Sequence, residues 1–162
     1  MLPFVTQTIR NRRRSGDDRW RIARQDGQGL AIGFSVVNSN DRLVLVVEDE
    51  EAIREVITDV LEERGFGVVC TRNGAEAIQF LQKARPEVVV LDLLMPVMHG
   101  WAFMEEYVER IDGAPIPIVI VSVNPALPRS FEQFGVKRIL AKPFDLDDLA
   151  DAVEQAAQTA AA

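Results

Sequence analysis

Cysteine is nearly missing from this sequence: Cys70 is the only one in 162 residues. That excludes an intramolecular disulfide. His99 is the only histidine, so a Cys/His metal cage is excluded as well, and any metal site has to be built from oxygen. Long apolar runs are also missing. Stretches such as Val88-Val-Val-Leu91 fall far short of the roughly 20 residues that span a bilayer. Positive charge is in the minority, with 18 Lys and Arg against 25 Asp and Glu for a net charge of −7, which argues against a chain-wide nucleic-acid surface. What is present is an ordinary globular balance, 48% hydrophobic and 27% charged, in a chain long enough to bury a core without staples.

The charge is unevenly spread. Residues 1–40 hold seven arginines and three aspartates, which leaves eleven basic and 22 acidic residues downstream. The two compositions meet at Asn38-Ser-Asn-Asp41, a polar stretch of linker type. The domains expected are therefore a basic arm over 1–40, partly disordered or carrying one strand at Gly29–Val37, a folded body over 41–157, and a frayed alanine-rich tail over 158–162. The ordinary reading of such an arm is a solvated tail; with +4 on the arm and −11 on the body, docking of one on the other is the second reading.

From Arg42 onward, apolar runs alternate with helical periodicity. Leu43–Val47, Val68–Thr71, Glu87–Asp92, Pro117–Ser122 and Arg138–Ala141 read as strands, the first and third apolar enough to be covered on both faces. Between them, Ile53, Val56, Ile57, Val60 and Leu61 recur at helical spacing up to Gly65. Asn73-Gly-Ala-Glu76 has the spacing of a capping box, Trp101–Glu109 forms a third helix, and Asp145 caps a last one carrying Leu146, Leu149 and Val153. Pro125 and Pro128 leave room for only a short helix near Arg129–Phe134. Five strands alternating with helices predict an α/β fold, a doubly wound parallel sheet of flavodoxin-like order 2-1-3-4-5 with a short or irregular fourth helix.

Such sheets bind ligands at the carboxyl ends of their strands. There the sequence places Glu48-Asp49-Glu50, Asp92, Ser122 and Lys142-Pro143. Each has an ordinary reading alone: a helix cap, a turn serine, a surface lysine. Together at one rim they have another. Converging carboxylates repel unless a cation sits among them, and an all-oxygen set favours Mg²⁺. Mg²⁺ with few protein ligands invites a phosphoryl group. Asp92, Lys142 and Ser122 then supply the nucleophile, the cation and the neutral donor of a phosphoryl-transfer site.

These residues resemble the receiver domain of bacterial two-component response regulators. The likeness rests on Val46-Val-Glu-Asp-Glu50, Val90-Leu-Asp-Leu-Leu-Met-Pro-Val-Met-His-Gly100, Ile120-Val-Ser122 and Lys142-Pro-Phe144, over about 115 residues from Leu43 to Ala157. The resemblance implies that Asp92 is the phosphoacceptor, charged from a phosphohistidine on a sensor histidine kinase or histidine phosphotransfer protein. It implies that Glu48, Asp49, Asp92 and the Leu94 backbone carbonyl hold Mg²⁺, that Lys142 contacts the acyl phosphate, and that Ser122 reports it. It also implies a cis Lys142–Pro143 bond and a cytoplasmic protein that catalyses only its own phosphorylation and dephosphorylation. Leu94 and Asn124, two residues past Asp92 and Ser122, are expected to tune hydrolysis.

Three positions depart from the family pattern. Ile139 stands where an aromatic usually couples to the serine, His99 stands where an aspartate is frequent, and the fourth helix is broken by proline. No DNA-binding or enzymatic segment follows the last helix, so the expectation is a stand-alone receiver that binds an unknown downstream protein or relays phosphate. The alternative is an interaction module on the same fold that works without phosphate. An Mg²⁺-dependent hydrolase on a similar sheet is disfavoured by Leu94, where aspartyl-nucleophile enzymes commonly carry a second acid. Flavin binding is disfavoured by acidic loops where a phosphate cradle is needed.

Overall fold

A computed structural model describes residues 42–124 and 129–160. The basic arm over 1–40, and the strand expected within it, lie outside the described residues. The elements run β1 (Leu43–Val47), α1 (Glu51–Glu63), β2 (Gly67–Thr71), α2 (Gly74–Leu81), β3 (Val88–Asp92), α3 (Gly100–Arg110), β4 (Ile118–Ser122), a 3-10 helix (Arg129–Phe134), β5 (Val136–Ala141) and α4 (Leu146–Ala160). The five strands form one parallel sheet in the order β2-β1-β3-β4-β5.

Strand alternation divides the core in two. Leu45, Val47, Val69, Leu91, Ile118 and Ile120 meet Phe80, Phe103, Met104 and Tyr107 of α2 and α3 on one face. Val44, Val46, Val68, Val90, Val119 and Val121 meet Ile57 and Leu61 of α1 and Leu149 and Val153 of α4 on the other. β3 and β4 are buried at every position because helices cover both faces, which is why their sequences are unbroken apolar runs. β5 lies at the sheet edge and exposes Lys137 and Arg138, charges that discourage a further strand from pairing there.

The capping box forms: Asn73 Oδ1 accepts from the Glu76 amide at 3.0 Å, and Glu76 Oε2 accepts from the Arg72 amide at 2.9 Å. Asp145 Oδ1 accepts from the Asp147 amide at 2.8 Å to start α4. α4 extends through Ala160, taking in Gln158, Thr159 and Ala160 past the boundary read from the sequence, with the Thr159 hydroxyl donating back to the Ala156 carbonyl at 2.7 Å. Between Pro128 and β5 only a six-residue 3-10 helix forms. Its Phe131 is buried against Trp101 of α3, with ring centroids 4.1 Å apart.

The chain leaves β1 toward β2, then returns past β1 to β3. The connections at the carboxyl ends of β1 and β3 thus depart in opposite directions and leave a crevice between them. Glu48 and Asp49 follow β1, and Asp92 ends β3.

Candidate phosphoryl and metal site

Glu48, Asp92 and Ser122 are almost fully buried, at 1%, 3% and 2% exposure, although all three are polar. Buried polar groups need partners, and theirs define the site. Lys142 reaches in from the end of β5, its Nζ donating to Glu48 Oε2 at 2.9 Å and to Asp92 Oδ2 at 3.0 Å. The backbone sets its approach: the Lys142 amide donates to the Ser122 carbonyl at 2.8 Å, and the Lys142–Pro143 peptide is cis. Glu48 Oε1 accepts from the Glu50 amide at 3.2 Å, and Asp92 Oδ1 accepts from the Leu94 amide at 3.0 Å. Ser122 Oγ accepts from the Asn124 amide at 3.2 Å, the turn bond expected of a serine at a strand end.

Carboxylate oxygens of Glu48, Asp49 and Asp92 lie within 4.8 Å of one another. Glu50 occupies the N-cap of α1 yet makes no side-chain capping bond. Asp49 is exposed, and among the described residues no protein group bonds its carboxylate. Burial pushes the Glu48 carboxyl above its ordinary value; the Lys142 bond opposes this and the charge of Asp92 reinforces it. Burial alone would lower the Lys142 ammonium, but its bonds to Glu48 and Asp92 outweigh that and hold it above its ordinary value. A cluster of three carboxylates matched by one ammonium, all hard oxygen donors, fits a small divalent ion such as Mg²⁺.

The side chains expected at the strand ends, Glu48, Asp49, Asp92, Ser122 and Lys142, therefore stand at this rim. Glu48, Asp49, Asp92 and Lys142 are drawn together directly, and Ser122 ends the neighbouring strand, one residue past Val121, the partner of Asp92 across the sheet. Leu94 follows with its side chain exposed.

Two residues carry more than sequence reasoning gave them. His99 caps α3, its Nδ1 accepting from the Ala102 amide at 3.3 Å, the role that an aspartate at this position would fill. Arg54 curls back from α1, and one guanidinium nitrogen donates to both the Glu48 and Asp49 carbonyls, each at 2.7 Å. The available signal was a cation near the start of a helix, where the dipole disfavours it.

A family model described as the response regulator receiver domain matches residues 44–154. The chain belongs to this family. This receiver is 28% identical to sporulation initiation phosphotransferase F of Bacillus subtilis over 114 residues, which cover 69% of the chain and 90% of that protein. It is 34% identical to the DNA-binding transcriptional regulator NtrC of Escherichia coli over 116 residues, 70% of the chain but 24% of that longer protein. Among solved structures it matches the receiver domain of the Francisella response regulator 1452, with TM-score 0.65 and 25% identity over 74% of this chain and 98% of that one. It also matches the receiver domain of the sensor histidine kinase PA1611 from Pseudomonas aeruginosa, a structure with magnesium coordinated in its active-site cleft, with TM-score 0.64 and 26% identity over 73% and 98%. The strand order of this receiver is that of the fold it shares with them. Among the described residues no helix is long and apolar enough to cross a membrane.

Proposed function

We propose that this receiver accepts a phosphoryl group on Asp92 from a histidine kinase or a histidine phosphotransfer protein, with Mg²⁺, and signals by binding a partner or by passing the phosphoryl group on. The observation that carries this is the bridge of Lys142 Nζ between Glu48 and Asp92 at 2.9 and 3.0 Å. It places a fixed cation on the carboxylate that would react. Glu48, Asp49, Asp92 and the Leu94 carbonyl would hold the ion, which supplies charge neutralisation for the transferring group when bound.

The remaining chemistry is done by the chain. An Asp92 carboxylate oxygen attacks phosphorus in line. The bond to the donor nitrogen or oxygen breaks, and the leaving group keeps its electron pair. Lys142 offsets charge on the equatorial oxygens, and the Ser122 hydroxyl donates to one of them after leaving its turn bond to Asn124. The product is a mixed anhydride that water can cleave, so the mark is temporary. The protein is in this sense not an enzyme for other substrates: it catalyses only its own modification and its reversal.

Mg²⁺ and acetyl phosphate should add one phosphoryl mass to the wild type. Chelation by EDTA should prevent this, and Asp92→Asn should gain nothing. A wild type that stays unmodified while a known receiver is modified alongside would overturn the proposal and favour an interaction module that works without phosphate. Ile139, partly buried against the core where an aromatic is usual, is the observation that favours that second reading.

A further inference from the structure

We infer that Arg54 is a positioning residue for the acidic site, acting through the backbone on Asp49. This rests on the phosphoryl and Mg²⁺ reading proposed above.

The three carboxylates are not held alike. Glu48 is locked by Lys142 and by the Glu50 amide, and Asp92 by Lys142 and the Leu94 amide. Asp49 has no such bond, so the aim of its carboxylate depends on the backbone that carries it. Two consecutive peptide carbonyls, those of Glu48 and Asp49, converge on the same Arg54 nitrogen at 2.7 Å. Fixing both peptide planes fixes the dihedrals on either side of the Asp49 Cα and hence the direction of its Cβ. Arg54 is itself anchored, because its amide donates to the Glu50 carbonyl in the opening turn of α1 and its carbonyl accepts from the Thr58 hydroxyl. The guanidinium thus clamps the loop to the helix that follows it. Outer partners of this kind commonly govern metal affinity about tenfold or more.

Charge and positioning make opposite predictions. A cation beside a divalent-ion site repels the ion, so removing the Arg54 charge would by electrostatics alone tighten Mg²⁺ binding. Loss of the clamp weakens it. Titration of the metal-free protein with Mg²⁺ alone, by calorimetry, separates the two. Arg54→Met should lower the affinity about tenfold, and Arg54→Lys, which keeps the charge but can reach fewer acceptors, should fall between. In an Asp49→Asn background, Arg54→Met should cost less than about twofold, because coupled residues are non-additive. Amide exchange at residues 49–51 of the metal-free protein should accelerate in Arg54→Met. Unchanged or tighter binding would overturn the inference, as would a tenfold loss that persists without the Asp49 carboxylate. If Arg54→Met fails to fold, Arg54→Lys decides: wild-type affinity in it overturns the clamp. A wild type that binds no Mg²⁺ overturns the underlying site reading instead, a result distinct from all of these.

Discussion

Lys142 is the side chain that holds the buried acids of the site together. It separates two buried carboxylates that would otherwise face each other, and each of its bonds is charge-assisted. Its raised titration has a definite sign. A lysine held above its ordinary value of 10.5 contributes stability that is fully present below 10.5 and is lost as pH rises through the higher folded value. Glu48 runs the other way round for a carboxylate. Raised above its ordinary 4.5, it contributes stability below 4.5 that is lost as pH climbs through its folded value. Lys142→Met should therefore cost about 2 kcal/mol at neutral pH, less in mild acid where Glu48 takes up a proton, and should flatten the alkaline limb of stability. Chemical denaturation of the metal-free protein across pH measures all three; a loss independent of pH would mean that Lys142 contributes packing rather than charge.

At the level of elements, the loop from β3 to α3 stores strain beside Asp92. Val97 has φ +67° and is 87% exposed, and the Met98 amide donates to the Pro96 carbonyl at 2.8 Å across it. That bond with a positive φ marks a strained γ-turn, and a β-branched residue is badly suited to it. Downstream the loop is held tightly. A Cβ on Gly100 would stand 2.9 Å from the Asp92 carbonyl oxygen, and the Gly74 amide bonds the Met98 carbonyl. Val97→Gly should raise stability by about 1 kcal/mol, read as a shift in denaturation midpoint. No gain would mean that the turn relaxes in solution. The strand and helix pattern was legible in the sequence because period and punctuation agree: unbroken valines for β3, a capping box for α2, two prolines before the 3-10 helix. The turn at Val97 was not, since valine carries no signal for positive φ. The packing of Trp101 on Phe131 was also hidden, because it joins residues 30 apart that no local pattern connects.

Across the whole molecule, α1 and α4 cover one face of the sheet and are tied at the surface by Arg64, which meets Asp147 at 3.0 Å, Asp151 at 2.9 Å and Glu154 at 3.7 Å. These acids raise the Arg64 guanidinium above its ordinary value. Exposed pairs are screened by salt, so Arg64→Ala should lower the melting temperature slightly at low ionic strength and leave it unchanged in 1 M salt. An equal loss in both would assign Arg64 a packing role. The candidate site was more legible than this network. Glu48, Asp49, Asp92, Ser122 and Lys142 are polar residues placed where apolar strands end, and the strand order then fixes where they meet. Arg54 was obscured because its work is done on carbonyls, which no side-chain motif records.

The central claim is that one carboxylate takes the phosphoryl group. After incubation with Mg²⁺ and acetyl phosphate, borohydride reduces an aspartyl phosphate to homoserine, and peptide mass mapping then locates it. The account predicts homoserine at position 92 and nowhere else. Modification at another aspartate or glutamate, or none while a known receiver is labelled in parallel, would contradict it.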